Sequence, residues 1–412
     1  KLTGIININS FEGETKEERF LNAVKYTQET IDPEKSSQGI RCTLFVPSGY
    51  YDFTGVTLEG ITIDNLNHPI SIIGEGTESV IFDYSKNLIN EPFIKIKNAS
   101  GALRQNTFEN ISFIGNETTT MVEFENTCGS QFINCFIGKN AIGGRFINSG
   151  NGGFTEFVGF DRCQFNSDCD VIIQYDKLGT DMSFHGAGLK DCLINQGTQS
   201  DKASIIINNG AYPYNAPLDF TIWTRGNRPI ISNFSGRNAV NFYGNIKVEP
   251  FNDGDVFMVD TLGNEVYYNG TLSSSNQKVK LGNLKLCDRI QVNSDMSINT
   301  TVKQYNKIVK PLSNKSELLI VEDCYTFLVD LQIRTGHFEM QHTLLCSSHL
   351  GTGAGNVTIL ARHREFNVAG LQIPTYSIEN NRLYIHGDYE GHNVVANMVI
   401  TPIGGRAQYF MS

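Results

Sequence analysis

Phe108-Glu-Asn-Ile111-Ser-Phe113 is followed by Phe132-Ile-Asn-Cys135-Phe-Ile137, Phe160-Asp-Arg-Cys163-Gln-Phe165 and Leu189-Lys-Asp-Cys192-Leu-Ile194, one short phrase written four times. Its central apolar positions stand 24, 28 and 29 residues apart (111 to 135, 135 to 163, 163 to 192). The phrase reads apolar, polar, polar, apolar, polar, apolar, and its last three residues alternate with the period that sends side chains to opposite faces of a strand. A period in the twenties, with strands separated by Gly, Asn and Asp, marks a solenoid whose layers bury their apolar faces by stacking. Ile111 and the three cysteines are then expected to form one internal column, with Cys acting as a small apolar residue. The reading is a parallel β-helix.

Composition agrees with an all-β chain. Of 412 residues, 18% are charged and 40% hydrophobic, with 39 Gly against 11 Pro, which excludes a disordered chain and suits many tight polar turns. A net charge of -10 disfavours binding to nucleic acid or to an anionic membrane. No apolar run approaches the ~20 residues of a membrane span, and no signal peptide opens the sequence. The nine cysteines are odd in number and lack close-paired spacing, so they read as reduced core residues, neither a disulfide frame nor a zinc site.

Ahead of the phrase, Thr15-Lys-Glu-Glu18 has the form of a capping box, and Phe20, Leu21, Val24, Tyr26 and Ile31 follow at mostly helical spacing. Such a helix would close the open end of the solenoid. Beyond the phrase, Ala203–Ile207, Phe220–Trp223, Pro229–Ile231 and Asn241–Val248 continue the layers. From Pro250 the pattern changes: Asn264–Gly270 suggests a hairpin, and seven longer alternating strands between Leu318 and Ile400, with a tight turn at Asn380-Asn381, suggest an antiparallel sandwich. The expected divisions are 1-55 (cap), 56-250 (β-helix carrying a glycan groove), 251-312 (transition) and 313-412 (C-terminal module).

The helix, the strand and turn FVPSGYYDF (45–53), the alternating VTLEGITI (56–63) and PISIIGEGTESVIFD (69–83), and the F-x-x-C-x-F layers together resemble pectate-lyase-like right-handed parallel β-helix proteins. Among these the chain is most similar to bacteriophage tailspikes that degrade capsule or O-antigen polysaccharide. The resemblance covers roughly residues 1–250, and residues 5–13 depart from the family's usual acidic opening. It implies a right-handed single-stranded β-helix and a C-terminal β-sandwich that fastens three chains into a homotrimer. It further implies a place on the phage tail, joined to a tail or baseplate adaptor through a preceding region, and a bacterial surface polysaccharide as partner, with no cofactor. Some such tailspikes lose a C-terminal chaperone by self-cleavage after a serine, which the terminal Ser412 would fit. Phe154, Phe157 and Phe160 read as a flat apolar face for burial between subunits.

Chemistry on such a wall needs side chains from successive layers. Hydrolysis requires two carboxyl groups about 5 to 9.5 Å apart, which layers ~4.8 Å apart supply one or two steps away. The candidate acids are Glu156, Asp161, Asp168, Asp170, Asp176 and Asp181; Glu156, a lone acid between aromatics, suits a general acid whose pKa is raised by desolvation. Elimination instead requires a base, a cation for a uronate carboxylate and an acid for the leaving oxygen. His185, flanked by small residues, offers the base, with a turn cap as its structural alternative, while Lys177, Arg225, Arg228, Arg237, Lys247, Tyr175 and Tyr243 offer cations and phenols. Between Asp219 and Glu249 four Arg or Lys face two acids, a local +2 that suits an acidic sugar, though the same arginines equally serve to brace layers. Trp223 is a stacking platform for sugar if exposed and core if buried. The six C-terminal histidines lack metal-ligand spacing.

The reading is therefore an endo-acting polysaccharide depolymerase. Hydrolysis is favoured because it is the commoner chemistry among the resembling proteins, and the alternatives are a uronate-specific lyase, a non-catalytic glycan-binding fibre and a monomeric, calcium-requiring pectate-lyase-type enzyme.

Overall fold

The structure is a computed structural model and describes residues 4–30, 42–54, 61–64, 69–86, 91–98, 105–166, 169–196, 202–224, 228–237, 240–250, 257–274, 279–280, 284–286, 289–292, 304–311, 315–320, 326–334, 338–348, 355–367, 374–379, 382–386 and 393–404. They fall into two compact units, residues 1–223 with 232–242 and residues 224–231 with 243–412.

In the first unit the fourfold phrase recurs in register. Phe108, Phe132, Phe160 and Leu189 are partners across the parallel strands Thr107–Glu109, Gln131–Ile133, Gly159–Asp161 and Gly188–Gln196. In the first three copies the phrase forms two short strands meeting at a corner, and in the fourth it lies within one strand. The third residue of every copy, Asn110, Asn134, Arg162 and Asp191, is left-handed, with φ of 59, 49, 54 and 51°. That conformation bends the chain, and Asn and Asp tolerate it best among residues other than Gly. Beyond the corner, Ser112–Ile114, Phe136–Ile137 and Gln164–Phe165 stack in parallel, and Gln164-Phe165 pair onward with Leu193-Ile194. A third parallel ladder runs through Ile61–Asp64, Ile94–Lys97, Thr120–Glu125, Asn140–Asn148, Cys169–Lys177 and Ile205–Ile207. This is a parallel β-solenoid.

Ile111, Cys135, Cys163 and Cys192 are all buried, as the column reading requires. Cysteine suits the position because each thiol lies within hydrogen-bond reach of a carbonyl of the preceding layer, Cys135 Sγ of Phe108 O at 3.5 Å, Cys163 Sγ of Phe132 O at 3.3 Å and Cys192 Sγ of Phe160 O at 3.5 Å, as well as of a carbonyl two residues back in its own layer. An aliphatic residue would fill the space without that donor. Inside, Phe108 and Phe132 stack at 4.6 Å and Phe132 meets Phe160 at 5.5 Å, each buried ring contributing about 2–3 kcal/mol. Phe160 is 1% exposed, so it belongs to this core, and the expected flat outer face keeps only Phe154, half-buried, and Phe157, exposed.

The opening helix spans Lys16–Thr30 and starts at the expected capping box. Glu18 N donates to Thr15 Oγ1 at 3.1 Å while Thr15 N donates to Glu18 Oε2 at 3.2 Å. Its apolar side lays Phe20 edge-on against Phe82 (5.0 Å) and Phe53 (5.8 Å), covering the first layers. Ile31 lies outside the described residues.

The second unit, taken by itself, begins with parallel pairing. Val266–Ser274 is one strand lying parallel to Leu284–Leu286 and Arg289–Val292, so the hairpin expected at Asn264–Gly270 does not form. The turn residues Asn269 and Gly270 lie within that strand, and Gly270 approaches the Gly244 carbonyl too closely for any Cβ. Gln304–Pro311 pairs in parallel with Arg289–Val292 on one edge, and from its other edge the pairing is antiparallel through Asn393–Gly404, Thr326–Arg334, Phe338–Ser348, Gly355–Asn367, Thr375–Glu379, Arg382–His386 and Lys315–Ile320. His342, expected to decorate a strand, is buried, with Nδ1 2.9 Å from the Tyr376 hydroxyl. Asn380, Asn381 and Ser412 lie outside the described residues.

Candidate functional site

A second corner on the same layers carries unlike residues. Gly129, Phe157, Gly186 and Asn215 are all left-handed, with φ of 83, 52, 62 and 46°. Each of the first three donates its N–H to the layer after it: Gly129 to Glu156 O (3.0 Å), Phe157 to His185 O (2.7 Å), Gly186 to Tyr214 O (3.4 Å). The residues just before these turns therefore stack in one column: Cys128, Glu156, His185, Tyr214. Cys128 and Glu156 form a parallel bridge, and Ser183–His185 pairs in parallel with Tyr212–Tyr214, which makes His185 and Tyr214 register partners. Gly159 and Gly188, soon after the turn, let the layers close up here; a Cβ on Gly159 would stand 1.9 Å from Gly188 O.

The side chains of this column form a wall of rings edged by two carboxyl groups. The His185 ring lies between Phe157, at 4.6 Å and tilted, and Tyr214, stacked at 4.6 Å with 10° between planes. Tyr212 stacks on Tyr214 at 5.4 Å, and the Arg237 guanidinium sits over Tyr212 at 6.0 Å. Asn215 Nδ2 is 3.3 Å from His185 Nε2, and its own backbone N–H is held by Asn241 Oδ1 at 2.6 Å. Asp181 Oδ1 accepts from both the N–H and the hydroxyl of Ser183 at 2.7 Å, which fixes the carboxylate beside His185's strand. Phe157 keeps 45% of its surface exposed, so the wall is open to solvent.

Electrostatics divide the roles. Partial burial pushes the Glu156 carboxyl above the ordinary carboxylate range, and the negative charge of Asp181 adds to this against an opposing pull from His185. Burial also raises the Tyr214 phenol, helped by Glu156 and Asp181. The column thus presents a carboxylic acid inclined to hold its proton, a second carboxylate, an imidazole and a protonated phenol.

Three of the five acids and bases expected to be catalytic, Glu156, Asp181 and His185, come together here, as does Arg237. The other two are placed elsewhere. Asp176 is buried and paired with Arg145, accepting also from Gln174 (2.8 Å) and Asn208 (2.5 Å), a saturated structural network. Asp161 makes ion pairs with Arg162 (3.2 Å) and Lys190 (3.7 Å) at the repeat's own corner, and Asp170 pairs with Lys202 at 2.7 Å. Tyr175, expected to touch sugar, is wholly buried and donates to Ala187 O at 2.7 Å, so it is core. Arg228 is buried, at odds with contact to a polymer. Lys177 lies half-buried along Gly210, and Trp223 is half-buried in the strand Ala216–Thr224. Tyr243 is exposed, and Lys247 pairs with Glu249; both belong to the second unit. Asp168 and Arg225 lie outside the described residues.

Tyr212, Tyr214 and Asn215 were not singled out from the sequence, yet a signal was there. Glu156 to His185 and His185 to Tyr214 are both steps of 29 (185 − 156, 214 − 185), the same step as Cys163 to Cys192 (192 − 163). A separate concavity of about 650 Å³ overlies the repeat corner, lined by Glu78, Ser112, Asn134, Arg162, Gln164 and Asp191. It gathers polar groups but no histidine and no series of stacked rings, so the chemistry points to the ring wall. Among the described residues no group of His, Cys, Asp and Glu side chains is placed to hold a metal ion, and no helix is long and apolar enough to cross a membrane.

No family model matches the chain, and no curated protein matches it. Solved structures to which it is similar include the tailspike protein of Acinetobacter phage vB_ApiP_P1, at 13% identity and TM-score 0.38, over 97% of this chain and 88% of that one. ORF18 of Geobacillus virus E2 follows at 11% identity and TM-score 0.41, over 90% and 80%. The tailspike gp49 of Acinetobacter baumannii bacteriophage Fri1, a capsular polysaccharide depolymerase, gives 11% identity and TM-score 0.22, over 99% and 87%. No residue role is carried across at such values.

Proposed function

We propose that the chain is a phage tailspike-type depolymerase that binds a bacterial capsular or O-antigen polysaccharide and cuts it internally by glycosidic hydrolysis at the Glu156–His185–Tyr214 column. The observation that carries this is Glu156 itself: a partly buried carboxyl group with a raised pKa, near a second carboxylate, on an open wall of rings. Glu156 acts as general acid, delivering its proton to the leaving glycosidic oxygen, and Asp181 serves the opposite side of the bond as base or nucleophile. The phenols of Tyr212 and Tyr214 and the Phe157 ring contact the sugar. On this reading the molecule works as a homotrimer on the virion tail, outside the host cell.

Elimination is the second reading, supported by a specific grouping: an imidazole, a protonated phenol and an arginine along one column, in the order His185, Tyr214, Tyr212, Arg237. There His185 removes the C5 proton and Tyr214 protonates the leaving oxygen.

The test is incubation with a panel of purified capsular and O-antigen polysaccharides, with chain length followed by size-exclusion chromatography. Shortening without new ultraviolet absorbance supports hydrolysis; shortening with the absorbance of a C4–C5 double bond transfers the site to elimination. Binding without shortening, even after prolonged incubation, makes the protein a glycan-gripping fibre and overturns the reading.

A further inference from the structure

We infer that the ring wall is built for an acidic sugar, whose carboxylate is held by Arg237 one subsite away from the scissile bond. This inference rests on the reading of the column as a glycan site and deepens it. Arg237 sits over Tyr212, the last ring of the continuous series Phe157, His185, Tyr214, Tyr212. Its backbone is locked: the N–H donates to Ser235 Oγ at 3.1 Å and the carbonyl accepts from Asn233 Nδ2 at 3.2 Å. Its Nε is buried with no hydrogen-bond partner among the described residues. No described carboxylate forms an ion pair with it, although Arg145, Arg162, Lys190 and Lys202 in the same unit all have one.

A guanidinium laid on an aromatic face, on a residue whose backbone is fixed, and lacking an acidic partner among the described residues is arranged for an anion from outside. The acids of the site, Glu156 and Asp181, lie by His185, two rings further along, and Ser183 holds Oδ1 of Asp181 there. A guanidinium therefore marks one end of the wall and the two carboxyl groups the other. A polymer with a carboxylated sugar beside its cleavable bond fits this polarity: the carboxylate rests on Arg237 and the neighbouring ring contacts Tyr212 and Tyr214. The flat, two-toothed guanidinium matches a planar carboxylate with two hydrogen bonds.

The experiment uses the full chain and the polysaccharide it cuts on the panel, native and after carbodiimide–borohydride reduction of its carboxyl groups to alcohols. The wild type is expected to lose about 10- to 100-fold in kcat/KM on the reduced polymer, mostly through KM. Arg237→Gln should show a similar loss on the native polymer and little further loss on the reduced one, with an unchanged melting temperature; Arg237→Lys should fall between. Equal cutting of both polymers by the wild type, or a neutral target polymer, overturns the inference and leaves the depolymerase reading standing. Loss on reduction with no effect of Arg237→Gln also overturns it, since the carboxylate then sits elsewhere. Failure to bind or cut any polymer removes both.

Discussion

Two corners on the same layers are built from the same backbone device and filled according to different rules. At one, left-handed Asn110, Asn134, Arg162 and Asp191 are each followed by a buried Ile or Cys, and the wording hardly changes from layer to layer. At the other, left-handed Gly129, Phe157, Gly186 and Asn215 follow Cys128, Glu156, His185 and Tyr214, four residues of unlike chemistry. Sameness marks the first because each layer must fit the next and a solenoid interior is a column of equivalent sites. The second faces solvent, where stacking demands only the turn and leaves the preceding side chain open to serve chemistry. A repeat thus announces its scaffold where its sequence is constant and a candidate site where position is constant but sequence is not.

Substitutions at the two corners should fail in different ways. The largest effect is expected from Glu156→Gln, which removes the acid while keeping shape: activity should fall about 100- to 10,000-fold, measured as new reducing ends, with stability within about 0.5 kcal/mol. A drop in melting temperature to match would make the second corner scaffold as well. Next comes Phe132→Ala in the repeat column, where lost burial and an unfilled cavity should cost about 3–5 kcal/mol in chemical denaturation. Retained stability there would break the contrast from the other side.

A pH series sharpens it further. The Glu156 pKa in the folded protein is raised above its unfolded value, so the folded state holds the extra proton, and the stability this contributes is fully present below the unfolded pKa. It is lost as pH rises through the folded pKa. The wild type should therefore lose stability relative to Glu156→Gln across the window from the ordinary glutamate range up to the raised value and run parallel above it, as read by denaturation midpoints. Hydrolytic rate should decline through the same upper limit, about tenfold per pH unit beyond it. The smallest effect is expected at the corner residue itself. Arg162→Gly relieves a left-handed non-glycine residue but loses the exposed pairing with Asp161, and the net change should stay within about 1 kcal/mol by thermal melting.

The solenoid was legible from the phrase because buried columns repeat chemistry as well as spacing; Phe108, Phe132 and Phe160 announce one another. The capping box was legible for the same local reason, since Thr15 and Glu18 satisfy each other within one helical turn. The candidate site was legible in part. Glu156 stood out as an acid among aromatics and His185 as a histidine among small residues, but Tyr214 shares only their 29-residue step, which chemistry alone does not flag. Asp176 and Tyr175 misled because alternation along a strand does not say which face is covered: Asp176 is absorbed by Arg145 and Tyr175 points into the core. The hairpin expected at Asn264–Gly270 followed turn chemistry, whereas parallel neighbours on the same strand overrode it.

The column of thiols bears on how long the fold resists chemical attack. Thiolates, not thiols, are what oxidants and alkylating agents attack, and burial raises Cys192 to about 12 and drives Cys163 well above its ordinary value. These sulfurs stay chemically silent while the layers remain closed. Exposed to air and iodoacetamide, the folded chain should keep them unmodified for as long as it keeps its shape, so their labelling becomes a clock for the first layer to open.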